Sequence, residues 1–175
     1  MKDWRVYCRA AFNALCANAE LWNDPDSFRP ITRIYYDLVF CSGYNRTGLI
    51  SEEALNDSKK RTDDHCLSPQ FIARMIMDNP DVYLKDYENF ENLFNLARTT
   101  VCVTKDENKQ LSMLTDNTGI DYKVYVPTNL KYKHLGIKLY EKVGQQYSNA
   151  VEYDGDVGDI APQDLLNYEK QFLIK

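Results

Sequence analysis

Apolar residues recur at helical spacing along much of the chain. Trp4, Cys8, Ala11, Phe12 and Leu15 mark a first helix from about residue 3 to 22, and Asn23-Asp24-Pro25-Asp26 breaks it. Ile31, Ile34, Tyr35, Leu38 and Val39 lie on one face of a second helix, with Ser27 as its cap, Pro30 in its first turn and Gly43 as its stop. Ser51 opens a short polar helix to about Asn56. Ser68-Pro69 combines an N-cap with proline at the first helical position, and Phe71, Ile72, Met75 and Ile76 form the apolar face that follows. Asp86 caps a helix that turns Phe90, Leu93, Phe94 and Ala97 inward. Thr104-Lys-Asp-Glu107 fits a capping box, in which the threonine oxygen accepts from an orphan amide and the glutamate answers back, and the helix runs on through Leu111 and Leu114. Residues 131–143 read as an amphipathic helix, and Pro162 opens a last helix to about Leu173.

Two stretches depart from this period. Thr99-Thr-Val-Cys-Val103 is β-branched, and Asp121 to Pro127 alternates. They are expected to pair through a parallel crossover, giving a two-stranded element at about 99–103 and 122–126. The fold expected is therefore α+β and predominantly α-helical, with that small element packed among six to eight helices in a single domain over 1–175. Residues 152–159 hold four acids and two glycines without EF-hand spacing, and read as a flexible acidic loop.

Composition narrows the function. The chain has 175 residues, 44% of them apolar, and a net charge of −5. Mean hydropathy is −0.53 and no apolar run approaches the ~20 residues of a membrane span. Without a signal-peptide pattern at the N-terminus, the compartment expected is the cytoplasm. Five scattered cysteines, none in a Cys-x-x-Cys pair, read as reduced thiols and not as a structural zinc site. The acidic balance confines any nucleic-acid contact to a patch such as Lys59-Lys60-Arg61 or Lys131-Tyr-Lys133. Thirteen tyrosines are many for this length, and suit an interface as well as a half-buried boundary. No Gly-rich phosphate loop and no G-x-S-x-G elbow occurs.

The chemistry-bearing candidate is Asp64-His65, where one of only two histidines stands beside two carboxylates. A neutral imidazole there can take a proton from water while a carboxylate holds a divalent cation. Further donors follow at Asn92, Asn95, Glu107 and Asn108. The plainer alternatives are that His65 bridges Asp63 or Asp64 to a helix start, that both aspartates are turn residues, and that the capping box alone explains Glu107.

Asp64-His65, then Asn92-Leu-Phe-Asn-Leu96, then Thr104-Lys105 with Glu107-Asn108, resembles the order of elements in the HNH (histidine–metal finger) nucleases, over about residues 62–114. The resemblance implies an Asp-His at a strand end, with His65 as general base, Asn92 as its orienting partner, and Asp64 and Asn108 on a Mg²⁺ or Mn²⁺ ion. Lys59, Lys60 and Arg61 would contact the phosphates of DNA. The family's final histidine falls at Val101 here, so Asn108 or Glu107 stands in for it, and the paired cysteines of many members are absent. In style the chain is similar to small phage-encoded proteins. The function expected is a metal-dependent endonuclease. Its rival is a non-enzymatic viral protein that binds a partner, or a second copy, through a tyrosine-rich surface.

Overall fold

The structure, a computed structural model, describes residues 3–116, 122–143, 146–155 and 161–174, apart from the side chains of 146–148. The chain divides into two compact units, each assembled from separated segments. A single domain was the expectation from length.

The first unit takes Met1–Asn45, Leu67–Thr99 and Asn117–Tyr122. Its helices are α1 (Trp4–Ala17), α2 (Pro25–Ser42), α4 (Pro69–Asp78), α5 (Pro80–Tyr83) and α6 (Tyr87–Ala97). Caps set their limits: the carboxylates of Asp3, Asp24 and Asp86 accept from backbone amides in the first turns of α1, α2 and α6. Ser27 is thus not the cap of α2; its hydroxyl donates to Asp24 Oδ2 at 2.5 Å. Gly43 ends α2 at φ +84°, as its position implies. The buried faces of α1, α2 and α6 meet around Tyr35, whose ring packs edge-on to Phe90 and Phe94 at 6.2 and 5.7 Å.

The second unit takes Arg46–Cys66, Thr100–Asp116 and Lys123–Lys175. Its strands are β1 (Asn45–Ser51), β2 (Arg61–His65), β3 (Thr99–Thr104), β4 (Thr115–Asp116), β5 (Lys123–Val124), β6 (Leu139–Val143) and β7 (Gln146–Glu152), β1 and β3 each beginning one residue inside the other unit's segments. Its helices are α3 (Glu52–Asn56), α7 (Lys105–Ser112), α8 (Lys131–His134) and α9 (Gln163–Glu169). Five strands form a mixed sheet in the order β2-β3-β1-β6-β7, and β4 pairs with β5. Leu49, Cys66, Val101, Val103, Leu111, Tyr132 and Leu139 make its core.

The small two-stranded element is corrected by this sheet. Residues 99–104 form a strand, but it pairs antiparallel with β2, Asp64 opposite Val101 and His65 opposite Thr100. Residues 123–124 pair instead with 115–116, because the chain beyond them turns back onto the turn that follows α7: the amides of Tyr125 and Val126 both donate to Leu114 O. Asp121 lies outside the described residues, as do residues 156–159 of the acidic loop. The helix over 131–143 is a second correction. It stops at His134, Gly136 takes φ +68°, its amide donates to Lys133 O, and Ile137 donates to Tyr132 O. A left-handed residue ends a helix, and the freed Leu139–Val143 pairs with β1.

Candidate functional site

β2 brings Asp64 and His65 to one strand end and sends their side chains to opposite faces. Alternation along a strand places Asp64 with Val101 and His65 with Thr100. Asp64 is 9% exposed and turns toward the core. There Lys131 Nζ donates to Asp64 Oδ2 at 2.7 Å and to the His65 carbonyl at 2.7 Å. The Tyr132 hydroxyl donates to the same Oδ2 at 2.5 Å. The lysine and aspartate side chains are only 12% and 11% exposed. A lone carboxylate at such a place costs several kcal/mol, and the ammonium and phenol offset that cost.

Burial, and then the negative charge of Asp64, hold the Tyr132 hydroxyl well above its usual pKa. Burial pushes the Cys66 thiol up to about 12, Lys131 opposing and Asp64 assisting. The Lys131–Asp64 ion pair is thus flanked by a phenol and a thiol that both hold their protons.

His65 is half-buried and shares the outer face of β2 with Asp63. Arg46 grips Asp63 with two bonds, Nε to Oδ1 at 3.0 Å and a terminal nitrogen to Oδ2 at 2.9 Å. Thr100 Oγ1 donates to Asp63 Oδ1 at 3.4 Å, and Thr47 Oγ1 donates to the Thr100 carbonyl at 3.0 Å. On this face the Asp63 carboxylate, the Arg46 guanidinium and the Thr100 hydroxyl are in contact, and His65 stands two residues along the same strand.

The other expected residues are dispersed. Asn108 is half-buried on α7, which packs against β2 in the same unit. Glu107 is consumed by structure: its Oε2 accepts from Thr104 N at 2.7 Å, Thr104 Oγ1 at 2.9 Å and Ser51 Oγ at 2.6 Å. Asn92 is exposed on α6 and belongs to the first unit, whereas Asp64 and His65 belong to the second. Asn95, on the same helix, accepts from Arg98 at 2.9 Å. Lys59 and Lys60 are exposed on a single 3-10 turn. Arg61 spends its guanidinium on the end of α3, donating to Ala54 O at 2.8 Å and Leu55 O at 3.4 Å.

A divalent cation does not fit this donor set. The carboxylate that would bind it already holds an ammonium, and among the described residues no group of three or more His, Cys, Asp or Glu is placed to hold a metal. Sequence reading missed Arg46 altogether and met Lys131 and Tyr132 only as part of a basic cluster. Charge complementarity to two adjacent aspartates was the one available signal, and it names no partner over such separations.

No family model, curated protein or solved structure matches the chain. Among the described residues no helix is long and apolar enough to cross a membrane.

Proposed function

We propose that the second unit acts on nucleic-acid phosphodiesters as an endonuclease of HNH-like type, with His65 as general base. One observation carries the reading. Asp64-His65 closes β2, β2 pairs antiparallel with β3, and β3 runs through the Thr104 capping box straight into α7, which packs back on β2. Asp64-His65 thus stands at a strand end, as the resemblance implies, with α4–α6 inserted between β2 and β3. His65 takes the proton of a water, the water oxygen attacks phosphorus, the bond to the leaving oxygen breaks, and the imidazolium returns the proton to that oxygen. Exposed Lys59 and Lys60 contact phosphate. Arg61 is left out of this role because its donors are used, and Asn92 is left out because it stands in the other unit. No step runs through a metal.

The test is nicking of supercoiled plasmid by the purified chain, with and without EDTA, beside His65→Ala. Cleavage by the wild type and its loss in the variant support the reading. Undiminished cleavage by His65→Ala ends the assignment of His65, and absence of any cleavage ends the enzyme reading.

A second reading has its own observation. On α2, Arg33 lies 5.1 Å over the Tyr36 ring and Tyr36 stacks on Phe40 at 6.4 Å, and just past its end Tyr44 meets Phe40 edge-on at 6.1 Å. Phe40 is 54% exposed and Ile34 43%. This aromatic stripe supports a protein interface. Light scattering of wild type and Phe40→Ser separates the readings: a dimer lost on substitution supports the interface, and a monomer in both removes self-association.

A further inference from the structure

We propose that Lys131 is the resident cation of the β2 strand end: its ammonium takes the place a divalent ion would need at Asp64, and its removal opens a divalent-cation site there. The inference rests on the HNH-like reading only for its interest in that strand end. Its evidence is local geometry.

Three facts carry it. The ammonium is 2.7 Å from both Asp64 Oδ2 and the His65 carbonyl oxygen, two hard oxygen donors of the kind that bind Mg²⁺ or Mn²⁺. Both side chains are nearly buried, so the charge balance inside the cluster is strict. Lys131 and Asp64 pair in direct contact there, the Glu169 carboxyl also feels the lysine's charge, and the Cys66 thiol stays neutral. A divalent ion added beside Lys131 would be repelled at short range by an ammonium that already contacts the Asp64 carboxylate. With the lysine removed, the carboxylate and the carbonyl face the space it leaves. A divalent ion taken up there is held weakly, because one carboxylate and one carbonyl oxygen are the donors that Lys131 leaves.

Lys131 also ties the chain beyond β5 to the strand end. It is the first residue of α8, and Tyr132, which follows it, bonds the same aspartate oxygen. The lysine is therefore positioned by its own helix and not by chance contact of a long surface side chain.

The experiment is Mn²⁺ titration of the full chain, followed by electron paramagnetic resonance and by thermal unfolding, for wild type, Lys131→Ala, Lys131→Met and Asp64→Asn. Wild type is expected to bind no more Mn²⁺ than Asp64→Asn and to melt at the same temperature with and without the ion. Lys131→Ala is expected to bind Mn²⁺ and to gain roughly 3–5 °C at tenfold excess over its Kd. The methionine keeps the apolar stem of the lysine and covers the case in which the alanine variant does not fold. Mn²⁺ binding by wild type that Asp64→Asn abolishes overturns the proposal. So does a folded lysine variant with no Mn²⁺ response. Neither readout uses cleavage, so a chain that never cuts DNA refutes the nuclease reading and leaves this one standing or falling by the metal titration.

Discussion

Glu107 offers a sharp test of what holds the second unit together, because three donors converge on one of its oxygens. Oε2 receives Thr104 N at 2.7 Å, Thr104 Oγ1 at 2.9 Å and Ser51 Oγ at 2.6 Å, and the residue is 6% exposed. Each hydroxyl, having given its proton to Glu107, turns a lone pair to a helix start: Ser51 Oγ accepts from Ala54 N at 3.2 Å and Thr104 Oγ1 from Glu107 N at 3.2 Å. One carboxylate therefore orients the N-caps of both α3 and α7. Bonds to a charged acceptor contribute about 1.5–3 kcal/mol each, and those sharing an oxygen do not add. Glu107→Ala, which strands three buried donors, is expected to cost about 3–5 kcal/mol. Glu107→Gln keeps a carbonyl oxygen at the same point and loses only the charge, for about 1–2 kcal/mol. Urea unfolding followed by circular dichroism reads both values, and amide exchange at Ala54 and Glu107 reads the caps. An alanine cost below about 1 kcal/mol, or equal costs for the two variants, would refute the shared-oxygen account.

Two further outcomes follow from buried polar groups. Among the described residues the Tyr35 hydroxyl finds no hydrogen-bond partner, and burial raises its pKa well above the usual value, so Tyr35→Phe is expected to stabilise the chain by about 1 kcal/mol; a loss of stability in urea counts against that. Burial raises the Glu169 carboxyl above the usual range in spite of its bonds from Thr128, so the native state keeps this proton to a higher pH than the unfolded state does. Between the two values the unfolded state binds fewer protons, and stability falls as pH rises. Glu169→Gln is expected to flatten that fall, and parallel pH profiles for the two proteins would exclude it.

The helices were legible where a cap marked their start, with an apolar face beside it in Pro69–Asp78 and Tyr87–Ala97. Glu52–Asn56, Pro69–Asp78, Tyr87–Ala97 and the Thr104 box lie where Ser51, Ser68-Pro69, Asp86 and Thr104 mark their starts. The sheet was not legible, because its strands carry little alternation of apolar and polar types. β2 is Arg-Thr-Asp-Asp-His, whose only buried position is filled by an aspartate. Nothing in five polar residues announces a strand. Strand pairing is a tertiary choice, set here by Val101 and Val103 of β3 and by Lys131 supplying the charge that lets Asp64 turn inward. Residues 131–143 failed for a local reason: the apolar spacing fits a helix, and Gly136 overrides it with one backbone angle.

The same alternation changes how the candidate dipeptide must be read. Two neighbours on a helix or in a loop can serve one site, whereas two neighbours in a strand face opposite ways. Asp64 looks inward and is neutralised by Lys131. His65 lies on the opposite face, half-buried, and the carboxylate on that face is Asp63, two residues earlier, held by Arg46 and Thr100. His65 therefore shares its face with Asp63 and Arg46, while Asp64 reaches it only through the backbone, by way of the ammonium that grips the His65 carbonyl. Asp63→Asn weakens the Arg46 and Thr100 bonds on that face and is expected to lower any His65-dependent cleavage with the smaller loss of stability. Asp64→Asn leaves the nearly buried Lys131 ammonium without its carboxylate and is expected to lower stability and cleavage together. Urea unfolding in which Asp63→Asn costs more stability than Asp64→Asn would refute the assignment of faces.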